Sequence, residues 1–414
     1  MTDREFDLVL FGATGFVGRL TAQYLAEAAP DGARIALAGR SPERLTAVRD
    51  ELGGAAAIWP LLVADTSDQA ALDALAARTK VVVTTVGPYL RYGLPVAQAC
   101  ANAGTHYADL TGESLYIREC MDRFGDRAAE TGAKIVNSCG YDSIPSDLSV
   151  YQLYRRTVED NTGELTDTTL VAWMNGGVSG GTVDSARAMM EAVAADPARG
   201  SVLSHPYSLS PDKAMEPKLG RQSDQTLSRA SVIDPSLDGW VGTFVMAAHN
   251  TKVVRRSNGL LGWPYGKNFR YREVMSAGSS ATSPLIAAGM AGGIVATMTA
   301  GALLSRVAVG RKLLDRILPA PGTGPDEKTR DRGWFKMKTF AATTSGTRYV
   351  CTFAGEGDPG YKATAVMLGQ AGLCLAFDEL SELAGILTPA AAMGDPLTAR
   401  LREAGLTIEV ERAG

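Results

Sequence analysis

Histidine is nearly missing from this chain, with three in 414 residues, and His106, His205 and His249 lie too far apart in sequence to compose a metal site. No metal ligand set is expected. Cysteine is sparse as well: Cys100, Cys120, Cys139, Cys351 and Cys374 are odd in number, scattered and free of any C-x-x-C spacing. That argues against a disulfide framework or a zinc ribbon, and reduced thiols in a cytoplasmic setting are the expectation. A basic excess is also lacking, the formal net charge being −4. With no basic tract and no zinc-finger spacing, a nucleic-acid partner is not expected. The opening MTDREFDLVLFG runs acidic and straight into an apolar stretch, so no cleavable signal peptide is expected.

What is present is ordinary globular composition, 45% apolar and 21% charged, in a chain long enough for two or three domains. The first informative stretch is LVLFGATGFVGRL. Gly12, Gly15 and Gly18 follow the strand-like run Phe6 to Phe11, and Val17, Leu20, Tyr24 and Ala28 then fall on one helical face. Strand, glycine turn and helix start occur in the order that seats a pyrophosphate, because unpaired amides and the positive end of the helix dipole favour an anion there. The cradle is Gly12, Ala13, Thr14, Gly15, Phe16, Val17 and Gly18, a dinucleotide-binding variant whose first two glycines lie three apart.

Apolar runs recur at Arg34 to Gly39, Ala57 to Asp65, Lys80 to Gly87, His106 to Thr111 and Ala133 to Gly140, with helical patterns between most of them. Short, fully apolar strands alternating with helices mean a parallel sheet covered on both faces, and six strands complete a doubly wound Rossmann sheet. The second strand ends in LAGRSPERL, without the acidic residue that takes ribose hydroxyls in NAD-binding versions. Arg40 and Ser41 stand there instead, with Arg44 one turn on, which favours the 2′-phosphate of NADPH. Ser41 also reads as a helix cap ahead of Pro42. Asp65, ending the third strand, is placed either near the adenine or as a cap of the next helix. Val86, Gly87 and Pro88 follow the fourth strand, where the nicotinamide half emerges.

Beyond Val150 the pattern changes to strands at Thr168 to Gly177, Phe244 to Val254, Phe269 to Ser276, Trp334 to Thr343 and Thr347 to Gly357, the last pair joined as a hairpin. An α+β domain with a mostly antiparallel sheet is expected. The division is 1–150 for cofactor, 151–358 for substrate or oligomer contacts, and 359–414 as a long helix and strand returning to the first domain. Gly200 to Trp240 lacks periodicity and reads as a binding loop or lid. Val274 to Ser305 carries no charge and is followed by Arg306, Arg311, Lys312 and Arg316. Three roles fit it: a buried or oligomer-interface helix, a membrane-docking or lipid-channel element, or a span.

The stretches GATGFVGRL, LAGRSPERL, TTVGPYLRYGLPVAQACANAGTHYADLTGE and NSCGYDSIPSDL resemble the saccharopine dehydrogenase-like oxidoreductases, in the branch of the mycobacterial trans-acting enoyl reductases. The likeness continues through HNTKVVRRSNGL, GPDEKTRDRGWF and GEGDPGYKATAVMLGQAGLCLA. It implies an NADPH-dependent reductase working beside a polyketide synthase on carbon–carbon double bonds of polyketide or fatty-acyl lipid intermediates. Such a reduction needs a hydride, stabilised charge on a thioester oxygen, and a proton. Candidates are Tyr89 and Tyr92 after the fourth strand, and Tyr141, Asp142 and Ser143 after the sixth, at the strand ends where open α/β sheets bind ligands. Tyr141 is the expected donor, with Asp142 orienting it or holding the nicotinamide ribose, and Tyr89 completing the set. Reduction of a C=N amino-acid adduct, with Arg255 and Arg256 clamping carboxylates, is the rival activity; an NADPH-binding sensor or scaffold at lipid surfaces is the non-enzymatic one.

Overall fold

The chain is described here by a computed structural model covering residues 4–176, 180–220, 222–224, 226–290 and 324–413. Strands β1 (Phe6–Phe11), β2 (Ile35–Gly39), β3 (Leu61–Val63), β4 (Thr79–Thr84), β5 (His106–Ala108) and β6 (Lys134–Val136) lie side by side in the order 3-2-1-4-5-6. Every pair is parallel, and register is set by matches such as Leu8 with Ile35 and Val81. This is the doubly wound sheet expected from the sequence.

Its central strand is buried along its whole length, which explains the unbroken apolar run. Leu8 and Leu10 feed one core while Val9 and Phe11 feed the other, so one strand is the wall between two layers. Helices α1 (Phe16–Ala28) and α2 (Pro42–Leu52) follow β1 and β2; α3 (Gln69–Ala77), α4 (Tyr89–Ala103) and α5 (Ser114–Thr131) pack together in the second layer. Side-chain caps by Ser41 and Asp68 start α2 and α3. The apolar run at Ala57 to Asp65 yields only the three-residue β3, because its first part is a tight turn at Gly54–Ile58.

The chain leaves this sheet through α6 (Ile144–Glu159) and builds a second, seven-stranded sheet from β7 (Leu165–Asn175), β8 (Ser228–Arg229), β9 (Trp240–Thr243), β10 (Arg270–Gly278), β11 (Trp334–Thr343), β12 (Arg348–Glu356) and β14 (Thr407–Ala413). Its order is 14-12-11-7-10-9-8, antiparallel except where β7 meets β10. One core runs from β1 through Ile144, Leu148 and Leu153 of α6 to Met337 and Phe353, joining the two sheets without a break. The helix Lys362–Phe377 packs on α1 and β4, and β13 (Gly385–Leu387) adds a seventh parallel strand beside β6. The final strand, β14, pairs with β12 in the second sheet.

One expected strand is a helix. Phe244 to Val254 lies largely within the helix Ala247–Leu260, eleven of whose fourteen residues are buried. A helix enclosed on most sides shows no polar stripe, so its period is not written in the sequence. Gly200 to Trp240 carries short helical turns and β8. Of the uncharged run, residues 274–278 end β10, residues 283–290 are helical, and residues 291–305 lie outside the described residues. No helix among the described residues is long and apolar enough to cross a membrane.

Candidate functional site

The glycine turn is built by close backbone approach. Gly12 has φ +92°, and a Cβ there would lie 2.7 Å from Val86 Cγ2; a Cβ on Gly18 would lie 2.1 Å from the Gly12 carbonyl oxygen. Neither position tolerates a side chain. The Gly12 amide donates to Ala38 O at 2.9 Å and the Gly15 amide to Gly12 O at 3.0 Å, which curls the turn under the start of α1. Gly15 opens that helix with no side-chain cap and no acidic residue in its first turn. The helix start therefore presents bare amides to solvent, and this seat fits a pyrophosphate. Thr14, Phe16 and Val17 are half-buried along its rim, whereas Ala13 is buried in the core below it.

Strand β4 is laced to the same turn. The Thr85 amide donates to Phe11 O at 3.0 Å, its hydroxyl to Gly12 O at 3.2 Å, and the Val86 amide to the Thr84 hydroxyl at 3.2 Å. Val86, Gly87 and Pro88 thereby border the glycine turn on one side. On the other, Arg40 leaves β2 with its side chain 78% exposed and its Nε 3.8 Å from Asp65 Oδ2. The Ser67 hydroxyl and amide hold that carboxylate and lower its pKa. The Ser41 hydroxyl accepts the Arg44 amide at 3.2 Å and donates to Glu43 at 2.8 Å, so it caps α2. Arg40, Ser41 and Asp65 thus gather at one corner, beyond β2 and β3.

After β4 the structure reassigns Tyr89. Its hydroxyl donates to Thr84 O at 3.1 Å and accepts the Leu110 amide at 3.4 Å, and the ring is buried. Burial raises its pKa well above the ordinary value. Tyr89 holds the loop together and does not present a proton to a ligand. Sequence reasoning missed its neighbour Glu113, whose two carboxylate oxygens take the amides of Tyr89 and Leu90 at 2.8 Å each and so cap α4. The Ser185 hydroxyl adds a third bond at 2.6 Å. The signal lay in the stretch ADLTGE, where the acid is distant in sequence from the helix it caps.

Tyr141 and Asp142 follow β6. The Tyr141 amide donates to Thr364 Oγ1 at 3.0 Å and the ring stands edge-on to Phe335, but the hydroxyl reaches only the thioether of Met174, at 3.8 Å. Burial, with Glu273 and Asp142 nearby, raises this phenol. Asp142 is partly buried; its carboxylate oxygens lie 3.6 Å from where a Cβ on Gly112 would sit and 3.1 Å from one on Gly140. Burial pushes its pKa up to about 7, aided by Asp109. No hydrogen bond joins Asp142 to the Tyr141 hydroxyl among the described residues, so the carboxylate does not orient the phenol.

Beneath these groups is a hydrogen-bonded polar layer, in which Asn137 Oδ1 is a buried atom without a partner among the described residues. Asp109 accepts the amides of Thr111 and Ser138, the Asn137 side chain and the Tyr107 hydroxyl at 2.8–3.0 Å, tying β5 to β6. His249 lies between the hydroxyls of Ser114 and Ser138, 3.0 Å from each. Burial, then Lys252, lowers its pKa to about 3, so it is neutral and structural. The Ser143 hydroxyl donates to Asn250, which donates in turn to Ser146 and Glu273. Arg255 and Arg256 clamp no free carboxylate site: the first holds Asp224 and the Tyr271 carbonyl, the second the carbonyls of Leu209 and Ile386, and both are buried. Cys139 is buried with its thiol raised by desolvation. No cluster of three metal-binding side chains occurs among the described residues.

A parallel doubly wound sheet with a glycine seat and a second mixed sheet is the architecture of a dinucleotide-dependent oxidoreductase, and residues 8–136 match the family model of the saccharopine dehydrogenase NADP binding domain. Over its whole length the chain resembles the trans-acting enoyl reductase of Mycobacterium bovis, 51% identical over 416 residues and covering 99% of both chains. The trans-acting enoyl reductase of Mycobacterium ulcerans is 50% identical over 415 residues, covering 99% of this chain and 98% of that one. Saccharopine dehydrogenase (L-Glu forming) from Saccharomyces cerevisiae shares the fold, with TM-score 0.54 at 14% identity over 98% of this chain and 99% of that one. The chain belongs to the saccharopine dehydrogenase-like family, in its group of trans-acting enoyl reductases.

Proposed function

We propose that this chain is an NADPH-dependent trans-acting enoyl reductase that reduces a carbon–carbon double bond of a polyketide or fatty-acyl thioester delivered by a separate synthase. The observation that carries the reading is identity over half the residues, end to end, with trans-acting enoyl reductases. Bound in the glycine seat, NADPH would supply the hydride. The turn from Gly12 to Gly18 would hold the pyrophosphate, Arg40 with Ser41 the 2′-phosphate, Asp65 the adenine side, and Val86 to Pro88 the nicotinamide side.

Two side chains divide the remaining work by their environments. Tyr141 stays protonated at any working pH, and among the described residues its hydroxyl has only a thioether as partner. It therefore acts as a hydrogen-bond donor to the thioester oxygen, where charge develops. Asp142, raised to about 7, is protonated in a large fraction of molecules near neutrality and can give its proton to carbon. The amino-acid adduct reading loses its feature, since Arg255 and Arg256 are committed within the protein. Five unpaired thiols support a cytoplasmic site of action.

The test is NADPH oxidation followed by absorbance, with an α,β-unsaturated acyl thioester on an acyl carrier, with a C=N amino-acid adduct, and with neither. Turnover on the thioester alone is expected. Turnover on the adduct alone would replace the reading, and NADPH binding without turnover on the correctly loaded carrier would leave a sensor.

A further inference from the structure

A groove of about 690 Å³ runs between α1 and α2. One end of it is formed by Thr14 and Phe16 of the glycine turn, by Arg44 in the first turn of α2, and by Arg330, which is distant in sequence from the others. Thr14 Oγ1 lies 3.9 Å from where a Cβ on Gly39 would sit, so this end of the groove meets the last residue of β2, beside Arg40.

Arg330 is held in place on two sides. Its guanidinium lies 5.4 Å from the centre of the Phe16 ring, and one of its terminal nitrogens donates to Pro325 O at 2.7 Å. Phe16 is braced in turn by Tyr361, edge-on at 4.9 Å. The backbone carrying Arg330 is zipped to the end of β12: the Asp358 amide donates to Arg330 O and the Gly357 amide to Gly333 O, both at 2.8 Å. An arginine from the second sheet's layer is thereby parked on the first aromatic residue of the cofactor turn.

The charges in the groove are unequal. Arg19 is neutralised by Glu51 at 2.9 Å, and Glu27 lies about 16 Å further down α1 from Phe16 by helical rise. Among the described residues neither Arg44 nor Arg330 makes an ion pair within 4 Å; the Asp326 carboxylate, which caps the Thr329 amide, acts on Arg330 only from a longer distance. Two unpaired guanidiniums at one end of a groove, next to a third at Arg40, form a place for a dianion rather than for a hydroxyl.

We propose that Arg330 is a specificity-determining residue for the cofactor, contributing with Arg44 and Arg40 to the seat of the 2′-phosphate. The inference rests on the NADPH reading above and adds a residue no Rossmann motif contains. It also gives the second layer a direct hold on the cofactor, because the segment from Pro325 to Gly333 cannot shift without moving that guanidinium.

The experiment measures dissociation constants by calorimetry for NADPH, NADH and 2′,5′-ADP on the full chain and on Arg330→Ala, Arg330→Lys and Arg40→Ala. Arg330→Ala should weaken NADPH and 2′,5′-ADP on the order of tenfold while changing NADH less than about twofold, as loss of one charged hydrogen-bond donor to phosphate requires. Arg330→Lys, which keeps the charge and the packing stem, should lie between and guards against a folding defect. Equal losses for NADPH and NADH, or none for either, would overturn the proposal. If Arg40→Ala discriminates and Arg330→Ala does not, this inference alone fails; if the wild-type chain itself binds NADH as tightly as NADPH, the cofactor reading fails with it.

Discussion

Ser138, just past β6, and His249, in the helix Ala247–Leu260, share a hydrogen bond of 3.0 Å that crosses from the first sheet to the elements of the second. The other ring nitrogen meets Ser114 at the same distance, so both faces of the imidazole are used. Together with Ser143 and Asn250 this contact fixes how the two layers sit around Tyr141 and Asp142.

His249 should make stability fall with acid. Its folded pKa is about 3 against an ordinary 6.5, so the folded state favours the neutral ring. The contribution is complete above pH 6.5 and is lost as pH falls from there towards 3, about 2 kcal/mol by pH 5. Raised buried acids such as Asp147 and Glu273 slope the other way, so the test is a difference. In urea unfolding between pH 5 and 7 the stability of wild type minus that of His249→Gln should fall towards pH 5 with a slope of up to one proton, and parallel curves would refute the assignment.

Gly18→Ala should abolish cofactor binding and lower stability by about 3 kcal/mol, since its Cβ would overlap a main-chain oxygen that no rotamer change can move. Thermal melting and NADPH fluorescence report the two effects separately. A variant with native melting and native binding would mean that the turn is not closed as described.

Tyr141→Phe should reduce kcat by about 100-fold or more while leaving the dissociation constant of NADPH unchanged, as expected for a donor to developing oxygen charge. Asp142→Asn should remove the descending limb of the kcat–pH profile near pH 7, because the active form is the protonated acid. An unaltered limb would move the proton source elsewhere.

Tyr89→Phe should be catalytically mild. Removing a hydroxyl bound to Thr84 O costs about 1 kcal/mol of stability, read as a lower melting temperature, with kcat within about twofold of wild type. A collapse of kcat with an intact fold would restore Tyr89 to the chemistry.

The first sheet was legible because all its strands but the edge strand β3 are buried on both faces and punctuated by turns, so an unbroken apolar run marks a strand. The tight glycine turn and the arginine at the end of β2 were legible for a related reason: glycines needed for close approach and a charge at a strand end are local features. The rest depends on contacts distant in sequence. Glu113 caps a helix that begins 24 residues earlier in the chain. The helix Ala247–Leu260 buries Arg255 and Lys252 among partners from other elements, and its β-branched Val253 and Val254 read locally as strand. Arg330 could not have been assigned from its own neighbourhood, since the ring beneath it is 314 positions away.

Strands β13 and β14 close opposite sheets from the last thirty residues, the first lying against β6 and the second against β12. On the ribosome neither sheet can acquire its outer strand until residues 385–413 have been made. Until then β6 and β12 present bare strand edges, a state prone to pairing with other chains. Fragments ending near residue 150 should accordingly be poor vehicles for studying nucleotide binding in isolation; removing β14 should bare the β12 edge of the second sheet, and removing β13 as well should bare β6 in the first.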